Sequence, residues 1–122
     1  MLYVEDNPVN RLLVEKIIKQ VTDFVLISAN DAETGLLYAA SQRPDLIILD
    51  ITLPGMNGFE MLDHLRREPE TAGIPVMALS ANAMAGDVDR GHQAGFDFYL
   101  TKPLDVSEFL SALHSVLNKR SS

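Results

Sequence analysis

Leu46-Ile47-Ile48-Leu49-Asp50 is a run of four apolar residues that stops on a carboxylate. Side chains alternate across a strand, so apolar residues at both parities describe a strand covered on both faces, as in a parallel sheet wrapped by helices. The continuation, Ile51-Thr52-Leu53-Pro54-Gly55-Met56-Asn57-Gly58, holds turn formers and then the Asn57 to Glu60 spacing of a capping box ahead of Phe59, Leu62 and Leu65. Strand, loop and helix in that order make one unit of a parallel α/β fold.

The same alternation extends in both directions. Short apolar runs at 2–4, 24–27, 76–79 and 98–100 read as four more strands, the first so short that the chain is expected to begin partway along it. Between them the period becomes helical. Asn7 is placed to cap and Pro8 to occupy the first position of a helix whose stripe reads Val9, Leu12, Leu13, Lys16, Ile17, Val21. Residues 31–42 form a small-residue helix through Ala32, Leu36, Ala39 and Ala40. The last helix carries Val106, Phe109, Leu110, Leu113, Val116 and Leu117, with Asp105 and Glu108 at capping-box spacing. A fourth helix, about 83–94, is the weakest, since Gly86 and Gly91 each cost roughly 1 kcal/mol relative to alanine in a helix interior. Five strands and five helices predict a single doubly wound (βα)5 domain over 1–122, its parallel sheet in the order 2-1-3-4-5.

Ligands of such sheets bind beyond the carboxyl ends of the strands, where the winding reverses. Glu5 and Asp6 follow strand 1, Asp50 strand 3, Ser80 strand 4, and Thr101 and Lys102 strand 5. Three carboxylates meeting at the crevice between strands 1 and 3 require a cation, and an all-oxygen donor set suits Mg²⁺ or Mn²⁺. Carboxylates, a hydroxyl and a lysine around such an ion fit phosphoryl transfer to an aspartate. Composition narrows the field. Ten Lys and Arg against seventeen Asp and Glu give a net charge of −7, which disfavours direct nucleic-acid or anionic-membrane binding. The absence of cysteine excludes a disulfide framework and a thiol nucleophile. With no signal segment or bilayer-length apolar run, a cytoplasmic domain is expected.

At Tyr3-Val4-Glu5-Asp6-Asn7, Ile48 to Gly58, Ala78-Leu79-Ser80-Ala81 and Tyr99-Leu100-Thr101-Lys102-Pro103 the chain resembles the receiver domain of two-component response regulators, a flavodoxin-like fold. Asp6-Asn7-Pro8-Val9-Asn10-Arg11 and Ala81 to Gly86 are most similar to receivers attached to hybrid sensor kinases. The resemblance implies that Asp50 accepts a phosphoryl group from a histidine kinase or histidine phosphotransfer protein. It implies that Asp6, Asp50 and the carbonyl of Thr52 ligate Mg²⁺, with Glu5 acting through water. It makes Ser80 and Lys102 the readers of phosphorylation, Tyr99 the aromatic that swings inward, and Lys102-Pro103 a cis peptide. Thr52 and Asn82 flank the path of attacking water and so tune phosphoryl lifetime. The donor docks by Asn10, Arg11 and Val14. The output face is the fourth helix, strand 5 and last helix, around Ala83, Ala85, Asp87, Tyr99 and Pro103. It acts on an unknown effector, as a monomer or a phosphorylation-dependent dimer. With no effector in the sequence up to Ser122, the chain is expected to act through a partner or to be part of a larger protein.

Plainer readings exist for each group. Glu5 and Asp6 suit the positive end of the first helix, Ser80 a turn, Lys102 a solvated surface, and Tyr99 the core. His64, His92 and His114 stand on three different predicted helices without ligand spacing and belong at the surface. Met56, Met61, Met77 and Met84 read as packing or loop residues. A flavodoxin-like nucleotide binder would need a Ser/Thr/Gly-rich loop where Glu5 and Asp6 stand. A phosphohydrolase built on Asp50 would place a second carboxylate at Thr52. The intact acidic, Ser80 and Lys102 set argues against a receiver kept only as an interaction module.

Overall fold

The computed structural model describes residues 1–21, 25–51, 56–80, 93–101 and 105–121, with the backbone alone for Val21 and 117–121. Five strands, β1 (Leu2–Val4), β2 (Ile27–Ala29), β3 (Ile47–Asp50), β4 (Val76–Ser80) and β5 (Phe98–Thr101), form one parallel sheet in the order β2-β1-β3-β4-β5. The described helices are α1 (Pro8–Val21), α2 (Ala32–Gln42), α3 (Gly58–Arg67) and α4 (Val106–Ser121). Thus α4 is the last of the predicted helices; most of the one expected over 83–94 lies outside the described residues.

Alternation along the strands builds two cores. Val4, Ala29, Leu49, Ala78 and Tyr99 face α2 and α3, meeting Ala32, Ala39, Met61, Leu62 and Leu65. Tyr3, Ile48, Met77 and Leu79 face the other way, onto Val14 and Ile18 of α1 and Phe109, Ala112, Leu113 and Val116 of α4. Strands buried on both sides need apolar residues at every position, which is what the 46–49 run reads.

The helix starts follow their capping chemistry. Asn7 Oδ1 accepts from the N–H groups of Val9 and Asn10 at 2.9 and 3.2 Å. Asp31 caps α2 by accepting from Thr34 N–H at 2.7 Å. Asn57 and Glu60 close a reciprocal capping box at 2.9 and 3.5 Å. Asp105 accepts from Glu108 N–H at 3.0 Å. The α2 helix ends on Arg43 in the left-handed region, φ 44°, its N–H returned to Ala39 O.

Two expectations are corrected. The second strand runs over Ile27–Ala29, past the expected end at 27, because at the sheet edge Ser28 can replace an apolar residue by donating to Glu15 Oε1 of α1 at 2.8 Å; Phe24, the expected start, lies outside the described residues. The buried stripe of α1 runs through Val14 and Ile18, whereas Val9, Leu12 and Leu13 are 74, 55 and 57 % exposed. A helix with apolar residues on two stripes satisfies the same period with either one inward.

Candidate functional site

Among the described residues, the chemical groups predicted at strand ends are placed by the pairing of their strands. Asp50 is the last residue of β3, opposite Leu79, and Ser80 the last of β4, opposite Thr101. Glu5 is one residue beyond β1, its N–H still donating to Ala29 O at 3.0 Å. The N–H of Ile51 donates to Leu79 O at 3.0 Å, which carries the β3–β4 ladder one residue past Asp50 and holds that carboxylate at the rim of the crevice.

Glu5, Asp6 and Asp50 converge. One carboxylate oxygen from each lies within 4.8 Å of the others, with Glu5 fully buried, Asp50 5 % exposed and Asp6 exposed. A pair of like charges at that separation repels by about 3 kcal/mol at an effective dielectric near 20. Burial adds a desolvation cost to two of the three. A charge resting on the positive end of a helix has no need of burial, so that plainer reading fits Asp6 but not Glu5. Three hard oxygen donors, two of them sunk below the surface and one at the mouth, match a divalent cation that keeps part of its water shell.

The rim is tied to α1. Arg11 Nη1 donates to the main-chain oxygen of Glu5 at 3.1 Å, and its Nε lies 3.8 Å from Glu15 Oε1, the atom that also accepts from Ser28. Arg11 therefore anchors the turn that presents Glu5 and Asp6, a role not assigned to it from the sequence. The i, i+4 spacing of Arg11 and Glu15 signals their pairing but not the bond to Glu5.

Ser80 is 3 % exposed and sits in a strand, which is not the place of a plain turn hydroxyl. By strand parity it lies on the α2/α3 side of the sheet, while Glu5 and Asp50 lie on the α1/α4 side. Tyr99 is 9 % exposed and packs edge-on to Phe96, with ring centroids 6.3 Å apart. Val14 is 6 % exposed and belongs to the core, so it offers no surface to a docking partner. His64 and His114 are exposed, Met61 and Met77 buried and Met56 half-buried. Thr52, Asn82, Met84, His92, Lys102 and Pro103 lie outside the described residues, as do Ala83, Ala85 and Asp87 of the expected output face. No helix among the described residues is long and apolar enough to cross a membrane.

A family model for the response regulator receiver domain matches residues 1–114. Polar-differentiation response regulator DivK of Brucella anthropi is 36% identical over 117 residues, which cover 96% of this chain and 94% of DivK. DNA-binding dual master transcriptional regulator RpaA of Synechocystis sp. is 37% identical over 119 residues, 98% of this chain but 49% of RpaA, so this chain spans about half of that protein. The receiver domain of sensor histidine kinase PA1611 from Pseudomonas aeruginosa PAO1, crystallised with a magnesium ion coordinated in its active-site cleft, superposes with a TM-score of 0.86. It is 32% identical, over 96% of this chain and 95% of that one.

Proposed function

The chain belongs to the response regulator receiver family of two-component signalling, and from that premise we propose that Asp50 is the phosphoacceptor of a phosphorelay switch. The convergence of Glu5, Asp6 and Asp50 carries this reading. An Oδ of Asp50 attacks the phosphorus of a phosphohistidine on a histidine kinase or phosphotransfer protein. The P–N bond breaks, the imidazole nitrogen keeps the electron pair and takes up a proton, and Asp50 is left as an acyl phosphate.

Asp6, Asp50 and the Thr52 carbonyl would hold Mg²⁺, with Glu5 reaching it through water. A bound Mg²⁺ neutralises phosphoryl oxygens during transfer. The donor set supports this, being all oxygen and bringing three carboxylates within 4.8 Å of one another. Lys102 adds a compact positive charge at the end of strand 5. Ser80 follows Leu79, the partner of Asp50, at the same end of the adjacent strand, and there bonds the phosphoryl group; its movement, with that of Tyr99, re-sets the face formed by the fourth predicted helix, β5 and α4, altering the binding of a downstream partner. Thr52 and Asn82 tune the lifetime of the acyl phosphate. The donor docks beside α1 on Asn10 and the exposed Val9, Leu12 and Leu13, which stand where buried Val14 does not.

The test is incubation with acetyl phosphate and Mg²⁺. One phosphoryl group should add to the chain and none to Asp50→Asn. Labelling that persists unchanged in the variant moves the acceptor elsewhere.

A further inference from the structure

Beneath the acidic cluster lies a group that this reading does not use. Tyr3 is the middle residue of β1 and is fully buried, yet its hydroxyl has no hydrogen-bond partner among the described residues. Leaving a buried phenol so is costly relative to a satisfied one, and native interiors carry few such groups. A phenylalanine would fill the same space without that cost.

The surroundings of the hydroxyl are specific. Alternation puts Tyr3 on the same face of the sheet as Glu5, two residues on and about 6.6 Å along the strand, comparable with the reach of a tyrosine side chain. In register with Tyr3 stand Ser28 on one side and Ile48 on the other, and Ile48 is two residues before Asp50. The phenol thus sits one pleat below both buried carboxylates. A phenol O–H is a donor, and the carboxylates of Glu5 and Asp50 on the same face of the sheet are acceptors.

We propose that Tyr3 is a positioning residue of the acidic site, its hydroxyl donating through one bridging water to the carboxylate of Glu5 once a divalent cation is bound, so as to hold that carboxylate in the orientation the cation needs. This rests on the reading of Glu5, Asp6 and Asp50 as a metal site. A ligand set in which one member is buried and reaches the ion through water needs its outer shell fixed, and loss of such partners commonly weakens metal binding 10- to 100-fold.

The test compares Mg²⁺ titrations of the unsubstituted chain, Tyr3→Phe and Asp50→Asn by calorimetry, together with the near-ultraviolet tyrosine difference spectrum on adding Mg²⁺. Tyr3→Phe should bind Mg²⁺ tenfold or more weakly, while its metal-free melting temperature is unchanged or higher. The tyrosine difference band of the unsubstituted chain should be missing from the variant. Tyr3→Phe binding within twofold of normal, with Asp50→Asn impaired, overturns the role of Tyr3 and leaves the metal site standing. An unsubstituted chain that ignores Mg²⁺ overturns both. Should Tyr3→Phe fold poorly, the spectrum of the Tyr38→Phe/Tyr99→Phe chain, whose one remaining tyrosine is Tyr3, decides: a difference band on adding Mg²⁺ supports the proposal and its absence overturns it.

Discussion

Asp97 Oδ2 accepts from Arg66 Nη2 at 3.0 Å and, through the same atom, from the main-chain N–H of Val76 at 2.8 Å. Arg66 also donates to the main-chain oxygens of Ala72, Ile74 and Gly95 at 3.0, 2.7 and 3.1 Å. One guanidinium at the end of α3 thereby joins the entry to β4 with the entry to β5, at the opposite end of the sheet from the carboxylates.

The ion pair itself is 27 and 35 % exposed and contributes little through charge alone. Its value lies in the carbonyls and the Val76 N–H. Arg66→Met should cost about 1–3 kcal/mol. Asp97→Ala should cost a similar amount, and Asp97→Asn less, since an amide oxygen still accepts from Val76. Urea unfolding of the three variants checks this order, and equal losses for Ala and Asn would contradict it.

Gly58 and Gly35 make a second comparison. A Cβ on Gly58 would stand 2.8 Å from the backbone Cα of Ile51, whereas on Gly35 its nearest atoms, at 2.8 and 2.9 Å, are the side-chain ends of Val4 and Met61. Backbone yields less than a methionine methyl. Gly35 is also inside a helix, where alanine regains roughly 1 kcal/mol of propensity. Gly58→Ala should therefore lose about 1–3 kcal/mol and Gly35→Ala distinctly less. Thermal melts decide it, and equal losses would show that Ile51 can move.

Removing one charge from the cluster separates repulsion from metal binding. Asp6→Asn should melt higher than the unsubstituted chain without metal, because a like charge is gone, and should lose most of the stabilisation by Mg²⁺. In the unsubstituted chain that stabilisation should reach about 2.7 kcal/mol when Mg²⁺ stands at a hundred times its Kd. Melting curves in chelator and in Mg²⁺ measure both effects.

Leu12→Glu tests docking apart from chemistry. The side chain is more than half exposed, so stability should stay within about 0.5 kcal/mol. Labelling by acetyl phosphate should be unchanged, while transfer from a phosphorylated histidine donor should fall about tenfold in kcat/KM, the loss of one moderate interface contact.

Asp31 supplies a pH dependence away from the site. Hydrogen bonds from Thr34, the backbone N–H first, hold its carboxyl below the ordinary range. A carboxyl lowered by folding adds stability above its unfolded value and loses it as the pH falls through the folded one. Asp31→Ala should thus be less stable than the unsubstituted chain at neutral pH, with the gap narrowing in acid. A gap that stays constant down to pH 2 would show that the cap does not act through its charge.

Much of this was legible in the linear chain because it depends on local rules. Apolar residues at both parities in 46–49 require cover on two faces. Asn7, Asp31, Asn57 and Asp105 announce helix starts through oxygens that accept from N–H groups two or three residues on. The strand ends then follow, and with them the positions of Glu5, Asp6, Asp50 and Ser80. What the chain alone could not decide was which of two apolar stripes on α1 turns inward, where the edge strand β2 begins, that Arg11 holds the main chain of Glu5, and that Tyr3 stands beneath the carboxylates. Those depend on contacts between elements, from Arg11 with Glu5, 6 residues apart, to Tyr3 with Asp50, 47 residues apart in the sequence. Only packing brings them together, since periodicity names a face without naming the surface it will meet.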